Sequence, residues 1–580
     1  MVSFKFVVFF HLVLLHTLVV KSVRFPDPLG IERSINELSN FKIGLPHLPA
    51  PPNLGDVFKG VQSFAAEALK NPTLRVPDPI EQGEKFAEFV EQQVAANLKT
   101  VSDFSKKVTK GLENGVKFLE ACYKPFGCFS SNRPFDPFNK MVHLLPLSPE
   151  EVDLTLFMFD KERSKEPEAI KYRGDTKTLE HLNFNREGQV KFIVHGWGVN
   201  IENQPWMTDT KNLLLENEPD CTVFLVDWRG GSGNPSYPQS AVTTKLVAKM
   251  VAHFIKNTGI SPQNINIIGH SLGGHISGLI GYEFPNPKIS KILALDAAGP
   301  WFDHNEIGSR LDKSQADYVE VLYTNAGTLG LGWPIGHVNI YPHGGSRQPG
   351  CELKTMMEKF KNHLTDAVFN WVGCHHGRSC DLAAQNTFHI GNDECEPIAY
   401  ACSDINKFEK GFCTDCGERN QNCQLVGIKK LGTSQYVAKP GRKFFILTKP
   451  TQPFCLHHYG VEVTVKKFNE ETAGNLKISI PGLDPINIDL QQNRDFRTQS
   501  YKGLLTSNEL LKEIPKAELV LEWKLSHSRV HASLSDVKII LKPLSVSDKT
   551  KQKDRTIQLC ARRPTVREGG EPVLLRPCSA

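Results

Sequence analysis

Five short apolar runs restrict the fold of this chain more than any other feature: Val190-Lys-Phe-Ile-Val194, Thr222-Val-Phe-Leu-Val226, Ile265-Asn-Ile-Ile268, Lys291-Ile-Leu-Ala-Leu295 and Tyr318-Val-Glu-Val-Leu-Tyr323. Runs with so few polar interruptions suit strands buried on both faces, which a parallel sheet covered by helices provides. Between the second and third runs lies 241–257, where Leu246, Val247, Met250, Val251 and Phe254 share one helical face. This alternation predicts βαβ units and an α/β domain. After about Lys439 the pattern changes to short β-rich runs without a long helix, among them 443–448, 461–465, 476–480, 519–523 and 537–541. Those runs predict a separate antiparallel sandwich.

The ends and the cysteines bound the setting. Lys5 is followed by an apolar run to Val20 and then Ser22, the layout of a cleaved secretory signal over residues 1–22. His11 and His16 interrupt that run, leaving it short of the ~20 apolar residues a membrane span needs. The 14 cysteines agree with export, because pairs persist as disulfides in an oxidising compartment. A zinc site fails on spacing, since Cys413-Thr-Asp-Cys416 is a lone C-x-x-C. A net charge of +5 on 580 residues, with no basic stripe, argues against nucleic acid as a partner. Residues 23–120 read as a Pro-rich stretch followed by an amphipathic helix, in which Phe86, Val90, Val94, Leu98, Val101, Phe104, Val108 and Leu112 recur every three or four positions. Such a helix packs on the next domain, lies on a lipid surface or belongs to a pro-segment.

The chemistry concentrates after the third run. Gly269-His270-Ser271-Leu272-Gly273 follows the strand 265–268 at once and leads into a small-residue helix. A strand-to-helix turn this tight needs glycine on both sides and exposes the Ser271 hydroxyl at the helix start, with the Leu272 amide facing a developing oxyanion. Serine attacks only when a histidine takes its proton and a carboxylate orients that histidine. Asp296 stands where the strand 291–295 ends, and His375 and His376 follow Cys374 on what reads as a loop; the residues alone leave the choice of histidine open. Val194-His-Gly-Trp197 ends an early strand, and the Trp197 amide is the candidate second oxyanion donor. Between Cys351 and Cys374, Met356, Met357, Phe360, Leu364 and Val368 are spaced as one apolar helical face. With its ends joined, that segment makes a hinged cover whose apolar face opens at a lipid–water boundary.

Together these residues resemble the pancreatic lipase family, which includes lipoprotein, hepatic and endothelial lipases and phospholipase A1 relatives. The resemblance runs from about Cys122 to Ser579, through Cys122 to Cys128, Val226-Asp-Trp-Arg-Gly-Gly231, Gly269 to Gly273, Leu295-Asp296, Pro349-Gly-Cys351 and Cys374-His-His-Gly-Arg-Ser379. It implies an α/β-hydrolase domain followed by a PLAT-like β-sandwich, after an N-terminal helical extension. It implies Ser271 as nucleophile, Asp296 as carboxylate, His376 as base, and the Trp197 and Leu272 amides as oxyanion hole. It also implies the pairs Cys402–Cys413, Cys416–Cys423 and Cys560–Cys578. No cofactor is implied for the chemistry. The family's calcium loop resembles Arg310-Leu-Asp312-Lys-Ser-Gln315, with Arg310 and Asp312 as ligands and an amide where the last carboxylate stands.

On these features the chain is expected to divide into a signal (1–22), an extension (23–120), a hydrolase domain (121–436, lid 351–374) and a PLAT-like domain (437–580). A secreted enzyme hydrolysing lipid esters is expected, triacylglycerol first, because the phospholipase A1 relatives tend to have shortened lids. Its expected partners are a lipid emulsion, lipoprotein or membrane surface, and a protein cofactor at the C-terminal domain. The alternatives are phospholipase A1 or mixed activity, and a non-catalytic lipid carrier or yolk-type storage protein. Relatives of that last kind lose the nucleophile, which is present here.

Overall fold

The computed structural model describes residues 120–130, 144–303, 306–352, 364–384, 395–428, 441–467, 474–490, 498–512, 517–522, 533–561, 565–567 and 573–578, with 355 and 514 besides. The signal, the extension to residue 119, and the lid side chains from Met356 to Val368 lie outside the described residues or side chains.

A short hairpin, β1 (Glu120–Tyr123) and β2 (Gly127–Ser130), is joined by Cys122–Cys128. The main sheet is built from β3 (Thr155–Phe159), β4 (Glu168–Lys171), β5 (Val190–Val194), β6 (Thr222–Asp227), β7 (Ile265–His270), β8 (Ile289–Leu295), β9 (Ala316–Leu322), β10 (Val338–Pro342), β11 (Ile398–Ala401), β12 (Cys423–Leu425) and β13 (Arg442–Ile446). Their order is β12-β11-β13-β10-β9-β8-β7-β5-β6-β3-β4. The stretch from β13 to β6 is parallel, and antiparallel pairs finish both edges. All five predicted runs lie in this parallel centre. Every residue of β5 and β6 is buried, as expected for strands covered on both faces. The helices Tyr237–Thr258 and Leu272–Tyr282 cover one face, with Leu246, Val247, Met250, Val251, Phe254 and Ile276 fully buried.

One boundary moves. The run 443–448, expected in the C-terminal unit, supplies β13, which pairs in parallel with β10 along 338–342. The main sheet therefore extends past the 436/437 division, to Ile446. Phe444, Phe445 and Ile446 are consecutive and all buried. That is the mark of a central parallel strand rather than of a half-solvated antiparallel one.

The C-terminal strands are β14 (His457–Lys467), β15 (Gly474–Ser479), β16 (Ile486–Leu490), β17 (Thr498–Ser507), β18 (Ala517–Glu522), β19 (Ser533–Pro543), β20 (Ile557–Ala561), β21 (Thr565–Arg567) and β22 (Val573–Pro577). They pair antiparallel in the order β16-β15-β18-β22-β20-β19-β14-β17, with β21 on β19. The two ends of that order meet, because Gly503 of β17 lies against the Ile486 and Ile488 side chains of β16. Val461, Val463, Leu476, Ile478, Ile539 and Leu541 fill the enclosed core, two residues apart along their strands as a pleat requires. This unit is tied to the main sheet by Cys395–Cys455 and by Tyr400 Oη donating to the Leu544 carbonyl at 2.8 Å. Cys351–Cys374 and the three pairs implied by resemblance are also formed, while Cys221 and Cys380 are buried thiols.

Candidate active site

At the carboxyl end of β7 the chain turns so sharply that Ser271 takes φ 57°, ψ −120°, a conformation side chains rarely adopt. Two close approaches make the flanking glycines necessary. A Cβ on Gly269 would lie 2.2 Å from the Gly273 carbonyl oxygen, and one on Gly273 would lie 2.2 Å from that of Val194. The second approach sets the start of the helix Leu272–Tyr282 directly against the end of β5. Ser271 and the Trp197 loop are thereby neighbours.

Asp296 follows β8 and also has a positive φ of 45°. Its fully buried carboxylate is held from two sides. Oδ1 accepts the amides of Thr324 (2.9 Å) and Asn325 (3.1 Å), and Oδ2 lies 2.6 Å from His376 Nδ1. A Cβ on Gly330 would fall 2.4 Å from Oδ1, so the carboxylate is packed as well as hydrogen-bonded. A carboxylate facing Nδ1 keeps that nitrogen protonated, which leaves Nε2 as the lone pair of the neutral ring. The His376 ring lies tilted 4.5 Å from that of His270, the residue before Ser271, and the His376 carbonyl accepts Ser379 Oγ at 3.0 Å.

The two candidate histidines separate cleanly. His375 is buried with Nδ1 accepting the Gln348 amide at 2.9 Å, and burial beside Arg347 and Arg378 lowers it to about 4. It braces the chain while its neighbour meets Asp296. Both sit on the helix Leu364–Ala384, not on the loop expected after Cys374. The helix runs straight through the disulfide, and successive residues on it point about 100° apart.

Two other histidines at the site were not singled out from the sequence. His270 is driven well below its usual 6.5 by burial and by the nearby His376. His195 is buried between Asp227 and the Gly196 carbonyl. The only sequence signal for either was its place beside a glycine at a strand end.

The loop expected to hold calcium is closed on itself. Gln315 Nε2 donates to the Arg310 carbonyl (2.9 Å) and Gln315 Oε1 accepts the Asp312 amide (2.8 Å). Arg310 Nη1 donates to the Leu311 carbonyl (2.7 Å) and faces Asp312 Oδ2 at 3.4 Å, and Asp312 Oδ1 accepts the Ser314 amide at 3.0 Å. Calcium needs six to eight oxygens free to turn towards it. Here those oxygens are engaged and a guanidinium already stands on the carboxylate. Arg310 and Asp312, expected as ligands, do not fit the ion.

The central parallel sheet, with a strand-to-helix turn at the end of β7, defines the chain as an α/β hydrolase. The family model described as Lipase matches residues 119–454, more than half of the chain, and the protein belongs to this family, the one its motifs resemble. It is a lipase, a carboxylic ester hydrolase. Lipoprotein lipases from Neovison vison and Homo sapiens are each 31% identical over 364 residues, covering 60% of this chain and 74% of the relative. That from Sus scrofa is 32% identical over 316 residues, 53% of this chain and 64% of the relative. A solved α/β hydrolase from a Medee basin deep-sea metagenome library is 13% identical over 34% of this chain and 90% of its own, at a TM-score of 0.20, an overlap too slight to argue from.

Proposed function

We propose that the protein is a secreted triacylglycerol lipase working through Ser271, His376 and Asp296. The observation that carries this reading is the 2.6 Å contact between His376 Nδ1 and a buried, doubly anchored Asp296 carboxylate, beside the strained Ser271 turn. His376 Nε2 takes the hydroxyl proton as Ser271 Oγ bonds to the ester carbonyl carbon. The oxyanion is held by the amides of Trp197 and Leu272. The tetrahedral intermediate collapses, the C–O bond to the glyceride breaks, and the leaving alcohol takes the proton from His376. Water then attacks the acyl-enzyme by the same route, releasing the fatty acid and restoring Ser271.

Triacylglycerol is favoured over phospholipid by the 23-residue separation of Cys351 and Cys374, a full-length lid span for a chain of this family. Six disulfides support an oxidising destination. The antiparallel unit from His457 onward supports a PLAT-like role in docking on a lipid emulsion, a lipoprotein or a protein cofactor, with the catalytic unit running to about Ile446. The test compares release of fatty acid from emulsified triolein and from phosphatidylcholine vesicles by the purified protein and by Ser271→Ala. Losing the nucleophile is expected to remove about 10⁶-fold of turnover. Substantial triolein hydrolysis by the variant refutes the mechanism; faster hydrolysis of the vesicles refutes the substrate.

A further inference from the structure

Chemistry at a carbonyl depends on where the oxyanion donors point, and one of them is the N–H of Trp197. That N–H belongs to the same planar trans peptide as the Gly196 carbonyl, so whatever fixes the carbonyl fixes the N–H on its opposite side. Gly196 cannot carry a side chain to fix it, because a Cβ there would lie 2.8 Å from Ser271 Cβ. Glycine also leaves the peptide free to rotate.

We infer that His195 is a positioning residue for the oxyanion hole, its Nδ1–H pinning the Gly196 carbonyl and thereby aiming the Trp197 amide at Ser271. The inference rests on Trp197 as an oxyanion donor. His195 Nδ1 is 2.9 Å from Gly196 O, and a carbonyl oxygen can only accept, so Nδ1 carries the proton. In the neutral ring Nε2 is then the acceptor, and the Trp228 amide donates to it at 3.3 Å. Asp227 Oδ1 also lies 3.3 Å from Nε2 and accepts from it only when that nitrogen carries a proton, with Nδ1–H on the carbonyl in either case.

The ring itself has no room to swing. It is fully buried and stacks at 5.7 Å on Trp228, whose Nε1 donates to the His195 carbonyl at 3.0 Å. Beyond the peptide, Gly198 donates to the Ser232 carbonyl (2.8 Å) and Trp197 Nε1 to that of Asn234 (2.8 Å). The donor peptide is thus clamped before and after, with His195 acting on its carbonyl.

The test uses His195→Leu, which fills the space without a donor, and His195→Asn, whose amide nitrogen reaches about where Nδ1 sits. With a soluble short-chain ester, Leu should lower kcat about a hundredfold, the low end for losing one oxyanion donor, with KM changed less than about threefold. Asn should restore most of kcat. Both variants should still be labelled stoichiometrically at Ser271 by a fluorophosphonate on long incubation. A folded Leu variant with kcat within about threefold of wild type, or an Asn variant as slow as Leu, overturns the inference. Should Leu not fold, ¹⁵N NMR of the wild-type His195 ring decides: a neutral ring protonated on Nε2 sinks it. Failure of Ser271 labelling in the wild type would instead sink the underlying triad reading.

Discussion

Asp296→Asn isolates what the carboxylate does. The substitution keeps size and shape, and its amide oxygen can still accept the Thr324 and Asn325 amides that Oδ1 accepts now at 2.9 and 3.1 Å. What changes is the 2.6 Å contact to His376 Nδ1. There the new NH₂ meets an N–H, donor against donor, and the ring escapes by moving its proton to Nε2. A lone pair on Nδ1 then accepts from the amide, and the nitrogen needed to deprotonate Ser271 carries a proton instead. Inverting the tautomer of a triad histidine costs about 10⁴ in kcat, roughly 5.5 kcal/mol of barrier. Fold stability should change little, because no buried donor or acceptor is left alone. The assay is kcat on a soluble ester at neutral pH, with thermal melting and ¹⁵N NMR of the His376 ring. Activity above about a tenth of wild type in a folded variant, or a His376 proton still on Nδ1, would refute the reasoning.

Three further outcomes are expected. Wild-type melting temperature and activity should be indifferent to EDTA and to millimolar Ca²⁺, because Gln315 and Arg310 already satisfy the loop; a calcium-dependent rise of several degrees would overturn that account. His458, which accepts the Leu447 amide at 3.2 Å, is lowered by burial from 6.5 to about 4. Its neutral form is therefore bound into the fold: the stability is full above about pH 6.5 and is lost as pH falls towards 4, at up to about 1.4 kcal/mol per pH unit. Melting temperature should fall across that window and fall less in His458→Gln; an unchanged slope in the variant refutes the assignment. Gly273→Ala should unfold the turn or abolish activity, since its Cβ would stand 2.2 Å from the Val194 carbonyl oxygen, and a fully active, equally stable variant would show that the β5 end gives way.

Much of the site was readable locally. The run 265–268, the glycines around Ser271 and an aspartate closing the run 291–295 are short-range patterns, and backbone sterics plus strand burial dictate them. The choice between His375 and His376 was not readable, since adjacent helical residues carry the same composition and differ only in direction. Nor was the helix passing through Cys374, because a cysteine pair looked like the end of a loop.

From the amino-acid order alone came the parallel strands, the sharp turn at Ser271 and the switch to β-rich runs near the C-terminus, because hydrophobic period and turn chemistry act over a few residues. Tertiary structure decided the rest. It placed β13 beside β10, about a hundred residues earlier, and joined Cys395 to Cys455. It turned His376 rather than His375 onto Asp296, and it spent the oxygens of the 310–315 loop on that loop's own side chains. Each of these depends on which distant surfaces are buried together, and contacts of that range leave no periodic trace in the chain.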